Sequence, residues 1–559
     1  MKKLLALLLS VLLVVTSFVG CKNKGVEIDD TKTQLYIGVF EGGLGTAYLD
    51  TIIEEFENDP AISNTSFEEG KTGVQVIYYE DKDDYTAGQL AANSKYMDED
   101  IFILNDVSLN SLLENGVAAD ITDVVTENVY SADGELSEDG THSIESFMKD
   151  YVKDYFNVGT ESAPKYYSIS YSATTMGIVY DADLFEDKDY YFNTDNELIC
   201  NTDYTNTTLS LGADGVVSYD DGLPETWEQF KVLMAAMRGD NIIPFTWAYQ
   251  PVIYYRIAPI ISFWAQYEGA SDFALNYTYN GVDSQFGEIN EENAWQLYGQ
   301  NGRLAALTAA KDIISNTENY SNHCFYSSQT HTEAQKEFIS SIRGVGGEQR
   351  IAMLFEGGWW ENESRKVFDE MSTMNADYGY GKRNFKIMPM PSFVGTDGVP
   401  DQTYDGRTIN VQLTESNVCV NSKTTKMELC KKFLQFLHSA SSMRTFTRET
   451  GVLKPFDYEL STDDYDQLTP FAQSSYDIMM DKNVDIVTPL TTSQFRFYLG
   501  AKVDDREWQT DTQYGEFYEP LAAFYNNKDL SAKAYFDGGI EYYENLWPSQ
   551  YSNYLLSIN

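Results

Sequence analysis

Four short segments of this 559-residue chain place hydrogen-bonding groups or flat aromatic faces just after an apolar run. The first is Glu41-Gly42-Gly43, which follows Leu35 to Phe40. Two glycines let the backbone approach a bound molecule closely, and an ionised Glu41 accepts stronger hydrogen bonds than a neutral group would. Neither a lysine nor a hydroxyl residue follows the glycines in the phosphate-loop pattern, so this is no phosphate cradle. Asn105 and Asp106 follow Ile101 to Leu104 and bring an amide and a carboxylate to a similar position. Both segments also have a local reading: Glu41 solvated in a tight turn, and Asn105 and Asp106 capping the next helix. The other two segments are aromatic. Trp247 and Tyr249 follow residues 242–245, and Trp359-Trp360 follow residues 351–355 with Glu356 beside them. An aromatic face with a polar handle stacks on the C–H face of a pyranose, while neighbouring carboxylates take its hydroxyls. The competing role is core packing. Neighbouring tryptophans do not both point inward, so one of each aromatic pair is expected to pack.

These segments need strands that end at a common edge. Short apolar strands are expected at 35–40, 74–79, 101–104, 242–245, 351–355, 385–391 and 417–420, with two extended runs between Tyr166 and Tyr180. Between them lie helical patterns, with Leu49, Ile52, Ile53 and Phe56 on one face and Leu429, Phe433, Phe436 and Leu437 on another. Gly116 ends one helix as a C-cap, and Thr226 with Gln229 opens another as a capping box. Strand and helix alternate at the spacing of an α/β domain with parallel strands. The stretch 185–222, rich in Asp, Asn, Thr and Gly, reads as an inserted surface loop or small hairpin. Residues 268–295 read as a polar loop, and the last hundred residues as mainly helical.

Composition removes several classes of function. The formal net charge of −47 repels phosphate backbones, so nucleic acid is excluded as a partner. Hydrophobic residues at 43% suffice for large cores, and no apolar stretch after residue 21 is long enough to span a bilayer. Forty-one tyrosines lift the aromatic share to 14%, which suits sugar binding and equally suits the surface of a secreted protein. Cys200, Cys324, Cys419 and Cys430 are widely spaced, without a disulfide framework or zinc pattern, and the four histidines show no ligand spacing. No cofactor and no metal are expected.

Met1-Lys2-Lys3, the apolar run Leu4 to Val15 and Phe18-Val19-Gly20-Cys21 resemble a bacterial lipoprotein signal. That likeness implies a signal peptide at 1–20, lipid (palmitate) on Cys21, a tether over 21–33, and a protein held at the extracellular face of the cell membrane by lipid alone. Further motifs then appear in order: Glu41-Gly42-Gly43; Asp100 to Ile103 with Leu112 to Gly116 and Asp120 to Asp123; Tyr166 to Phe185; Leu223 to Phe230; Ile351 to Trp359; Met388 to Pro391; and Val418 to Leu437 with Gly451 and Pro455. Together they resemble the extracellular solute-binding proteins of ABC importers, in their carbohydrate-binding group. The resemblance implies a two-lobe α/β fold of the periplasmic-binding-protein kind, each lobe a sheet flanked by helices, with a ligand cleft between them. Lobe 1 would hold 34–170 plus 409–452, and lobe 2 would hold 171–408 plus 453–559. It implies a non-enzymatic monomer that captures an oligosaccharide for transmembrane permease subunits. It also places Arg496, in Ser493 to Tyr498, where the family has a late ligand-contacting segment. The chain is longer than the family's usual length. Three other readings remain open: a surface glycan-binding or sensory receptor of the same fold; a binding protein for a peptide, polyol or polyamine; and a glycoside hydrolase, which needs two carboxylates about 5 to 9.5 Å apart.

Overall fold

The computed structural model describes residues 27–40, 42–81, 83–105, 107–201, 207–212, 215–249, 254–344, 349–413, 416–499 and 519–558. Its strands, in chain order, are β1 (Thr33–Val39), β2 (Val74–Glu80), β3 (Ile101–Leu104), β4 (Ile169–Ser170), β5 (Thr174–Asp181), β6 (Ile243–Thr246) and β7 (Gly281–Asp283). They continue with β8 (Gly287–Ile289), β9 (Ile351–Gly357), β10 (Phe385–Met388), β11 (Arg407–Gln412), β12 (Asn417–Val420) and β13 (Val484–Val487). The segments that the sequence singles out as strands all become strands, within a few residues at each end. β7, β8, β11 and β13 have no counterpart among them.

The strands form two separate large sheets. One has the order β2-β1-β3-β12-β4, parallel through β2, β1 and β3, with β12 antiparallel to both β3 and β4. The other has the order β13-β11-β5-β9-β6, with β10 also on β5. This is the two-lobe α/β fold. In the first lobe Leu35, Ile37 and Val39 of β1 are buried under Leu49, Ile52 and Phe56 of the helix Ala47–Asn58. Phe56 in turn meets Phe433 edge-on at 5.2 Å, from the helix Met427–Leu437. The second sheet is built on β5, all eight residues of which are buried. A strand covered on both faces shows no apolar–polar alternation, which is why Thr174–Asp181 reads as one extended run. Its last residue, Asp181, is fully buried and is held by the guanidinium groups of Arg350 and Arg383.

Three segments join the sheets. Tyr171 to Ala173 link β4 to β5, residues 413–416 link β11 to β12, and the segment after Thr450 leaves the helix Ala440–Thr450. The first and third pair directly, Ala173 N–H donating to the Leu453 carbonyl at 2.7 Å. β11 lies in the second sheet, so the lobe boundary expected at 409 falls inside this strand. Lys454 occupies the third crossing and is 2% exposed. Its ammonium lies 4.8 Å from the Phe446 ring centre and 5.9 Å from that of Tyr171, and has no hydrogen-bond partner among the described residues. Burial pushes Lys454 down to about 7. Beside it His438 is pushed down to about 3, first by burial and then by the lysine's charge.

Residues 268–295 are not the loop that their polarity suggests. They form the helix Ala270–Thr278 and the β7–β8 hairpin. Their apolar residues Leu275, Tyr279 and Ile289 belong to a separate cluster with Phe495, Tyr543 and Trp547. A partner more than 200 residues away in sequence supplies that cluster, the long helix Ala532–Ser557, so no local pattern reveals it. The inserted stretch after 185 begins inside the helix Ala182–Lys188, and its described residues then run irregularly. It is fastened by ion pairing of Arg407 with Asp220, 3.7 Å apart, and by the Tyr219 hydroxyl bonding Asp481 at 3.0 Å. Cys324, Cys419 and Cys430 are buried free thiols, and Cys200 is half-buried. Among the described residues no helix is long and apolar enough to cross a membrane.

Candidate functional site

β9 carries the centre of the site. Its last residue, Gly357, pairs with Met176 of β5. A Cβ there would lie 2.4 Å from the Met176 sulfur and 2.6 Å from the Trp359 ring, so only glycine lets this indole lie against the strand end. The chain then turns, with Gly358 N–H donating to the Thr175 carbonyl at 2.8 Å, and enters the short helix Trp360–Glu363. This turn separates the two tryptophans. Trp360 is fully buried among Phe338, Phe368, Phe385 and Phe471. Trp359 stays half-buried, with Tyr255 edge-on at 6.2 Å. The sequence reading that one of the pair must pack describes this arrangement.

Tyr255 stacks at 9° and 5.5 Å on the ring of His331, whose Nε2 lies 3.3 Å from Glu363 Oε1. Gln335, one turn along the same helix, uses its amide N–H groups on two carboxyls at once. It donates to Glu363 at 2.6 Å and to Glu356 at 3.1 Å. Ser364 fixes the amide by donating to its oxygen at 2.8 Å. Glu356 is 1% exposed. Burial, then the nearby Glu363 carboxylate, hold its carboxyl well above the usual range, and hydrogen bonds from Gly357 N–H, Gln335 and Trp359 offset this only in part. His331 Nδ1 is buried without a partner among the described residues.

The first lobe faces this corner through its own strand ends. Gly43 has φ +99°, a left-handed conformation that favours glycine. A Cβ on Gly43 would stand 3.2 Å from Glu363 Oε1, so the turn after β1 touches the carboxylate of the opposite lobe. Gly42 lies against Asn105, with only 2.5 Å between a Cβ position and the amide nitrogen. Asn105 accepts a 3.4 Å bond from the Ser416 hydroxyl in the second crossing, and Ser416 in turn accepts from Ser172 in the first, at 2.8 Å. Gly42, Gly43, Asn105, Glu356 and Trp359 are thus drawn around one interlobe corner.

The remaining sequence candidates lie elsewhere. Trp247 is fully buried, its indole stacked on Phe355 at 5.5 Å and tilted against Tyr320 at 5.3 Å, which leaves it no face for a ligand. It is core, because β6 packs against the helices Trp227–Gly239 and His331–Ser340. Trp360 is core for the reason given above. Tyr249 is half-buried, its ring covered by the Arg256 guanidinium at 4.3 Å and by Phe325. Arg496 is 5% exposed and bonds the Tyr279 hydroxyl at 2.6 Å, within the C-terminal aromatic cluster. Its guanidinium lies over the rings of Tyr277 and Tyr279, which places it in that cluster. Glu41, Asp106 and Cys21 lie outside the described residues.

Tyr255, His331, Gln335 and Glu363 belong to the corner and were not legible beforehand. Tyr255 looks like part of an apolar helix. His331, Gln335 and Glu363 look like ordinary surface positions of helices until β9 is placed beside them.

A family model described as bacterial extracellular solute-binding protein matches residues 52–473. No curated protein matches the chain by sequence. Among solved structures, the chain is similar to a probable secreted solute-binding lipoprotein from Streptomyces coelicolor, at 11% identity and TM-score 0.54, covering 92% of this chain and 100% of that one. It is similar to apo RafE from Streptococcus pneumoniae at 12% identity and TM-score 0.53, covering 93% and 100%. It is also similar to the cyclic α-maltosyl-1,6-maltose binding protein from Arthrobacter globiformis at 11% identity and TM-score 0.50, covering 92% and 99%. At these identities the likeness is one of fold.

Proposed function

Because this chain belongs to the bacterial extracellular solute-binding proteins, we propose that it captures an oligosaccharide between its lobes and delivers it to the membrane permease of an ABC importer. The observation that carries the reading is the corner at Trp359. An indole is held half-open by Gly357 and Tyr255, ringed by the carboxyls of Glu356 and Glu363, and met by Gly42, Gly43 and Asn105 from the other lobe. Aromatic faces with a few convergent polar groups are what a specific small-ligand site requires. A sugar presents this pattern, with its C–H face for the indole and its hydroxyls for the carboxyls and amides. A protein of the same fold is named for a cyclic maltosyl-maltose, which agrees with the class.

Capture follows from the fold by hinge closure, the three crossings bending while each sheet moves as a unit. Sheet membership supports lobes of 34–170 with 413–452 and of 171–412 with 453–559. The N-terminal segment supports anchoring through lipid on Cys21, which would hold a monomer at the outer face of a bacterial cell membrane. No bond of the sugar is broken in this reading.

The test is binding by residues 22–559 to a panel of oligosaccharides, peptides and polyamines, read by thermal shift and calorimetry. A ligand that binds only the folded state raises the melting temperature by mass action. One glycan that shifts the protein, is recovered intact and loses its effect on Trp359→Ala supports the proposal. A shift confined to a peptide or polyamine would remove the sugar, and cleavage of the glycan would revive a hydrolase.

A further inference from the structure

The charge around Trp359 narrows the ligand further, on the assumption that a glycan does occupy that corner. Its indole is bordered by Glu356 and by the chain of contacts through Gln335 to Glu363. Glu363 reaches Gly43 of the opposite lobe. An acidic group on a sugar stacked there would approach the Glu363 carboxylate with little water between them.

Among the described residues, the cations near this corner are already engaged. On the described segments that form the corner (42–46, 105, 171–175, 255–256, 331–335, 356–363 and 416), Arg256 is the only lysine or arginine. Its guanidinium pairs with the buried Glu519 at 3.2 Å and covers the Tyr249 ring at 4.3 Å. His331 presents Nε2 to Glu363 and its ring face to Tyr255. Arg365, just beyond, bonds Asn362 through Nε at 3.2 Å and through a terminal nitrogen at 3.0 Å, and covers Tyr380 at 4.1 Å. Lys454 is sealed in the hinge between Phe446 and Tyr171. A guanidinium fork matched to a carboxylate or phosphate, the usual device for acidic ligands, is absent from these described segments.

We propose that this cleft selects neutral or amino-bearing glycans and rejects uronic, sialic and phosphorylated ones, with the Glu363 carboxylate as the discriminating group. Glu356 is 1% exposed and its two oxygens accept from Gly357 N–H and Gln335, whereas the Glu363 side chain stays 15% exposed, so Glu363 is the carboxyl that an acidic ligand would meet. The two glutamates are therefore separable by experiment, although one glutamine side chain bonds both.

The experiment measures paired probes by calorimetry at pH 7: galactotriose against trigalacturonate, xylotetraose with and without a glucuronosyl branch, and chitin against chitosan oligosaccharides. For whichever neutral glycan binds, its uronate counterpart is expected to bind about 30-fold more weakly or worse, since like charges brought together in a closed site are strongly disfavoured. The amino counterpart is expected to bind at least as well. Glu363→Gln keeps the side-chain shape and is expected to shrink the neutral-to-uronate ratio about tenfold. Glu356→Gln is expected to leave the ratio unchanged. A uronate that binds as tightly as its neutral partner overturns the inference and leaves the carbohydrate reading standing. A ratio that moves with Glu356→Gln and not with Glu363→Gln also overturns it. Silence from every sugar of either kind fails the carbohydrate reading itself, and this inference with it.

Discussion

Replacing Lys454 by methionine should make the protein more stable, and by an amount that depends on pH in a defined direction. The ammonium is buried in the third crossing, over aromatic rings, with no hydrogen-bond partner among the described residues. Its value falls from 10.5 to about 7 through burial alone. Between those values the unfolded chain binds a proton that the native state has released. Stability therefore rises with pH across that window and is lowest below it. The gap from 10.5 to about 7 corresponds to about 5 kcal/mol at about 1.36 kcal/mol per pH unit. Methionine has a similar unbranched length and makes favourable contacts with aromatic rings, so it fills the space without the charge. Urea unfolding of both proteins at pH 6, 8 and 10 gives the difference directly, and titrations common to both cancel. The variant should be more stable by several kcal/mol at pH 6, with the advantage shrinking steadily toward pH 10. A variant less stable at pH 6, or an advantage independent of pH, would refute the reasoning, because the lysine would then be paired or hydrated in the folded protein.

Four other expectations follow from burial and pairing. Trp360→Ala should cost about 3–5 kcal/mol in unfolding free energy, because its ring is fully buried among four phenylalanines. Trp359→Ala should melt near the parent and lose glycan affinity about tenfold or more, as expected for an aromatic contact together with its buried area. Glu361 is 3% exposed and burial pushes it up to about 7. The native state then holds a proton that the unfolded chain gives up above the ordinary 4.5. Stability should fall as pH rises from about 4.5 to 7, and Glu361→Gln should flatten that slope in melts taken across the window. Asp181→Ala strands two guanidinium groups in the second lobe and should cost about 3–5 kcal/mol in the same unfolding assay.

The sequence displayed the scaffold more fully than the site. β1, β3, β9 and β12 are short apolar runs between turn residues, and such runs are readable because one strand's side chains suffice to announce it. β11 escapes because Arg407, Thr408, Asn410 and Gln412 are polar residues that the fold buries or half-buries, Thr408 bonding Gln266 of a distant helix at 2.9 Å. The helix Ala270–Thr278 and its hairpin escape because the residues that bury them lie near the other end of the chain. The same divide runs through the candidate site. Gly42, Gly43, Asn105, Glu356 and Trp359 were legible because each directly follows or ends a recognisable strand. Gln335 and His331 reach the corner from a helix, and a helix pattern tells which face is buried but not which strand end it meets.

The two aromatic pairs show where a rule based on strand ends succeeds and where it fails. Trp247 and Trp359 both follow strands of the second sheet, and the rule treats them alike. β6 lies at the sheet's edge next to β9, and Trp247, which follows it, packs in the core against Phe355 and Tyr320. β9 lies beside the central strand β5, and β5 begins at the first crossing from the other lobe. The end of β9 therefore faces the hinge, and the turn through Gly357 and Gly358 leaves one indole on the cleft side and sends the next inward. What distinguishes the two positions is adjacency to a strand that crosses between lobes. Residues that terminate neighbours of crossing strands are the ones placed to feel closure, and in this chain these are Gly357 to Trp359 on one lobe and Asn105, beside β12, on the other.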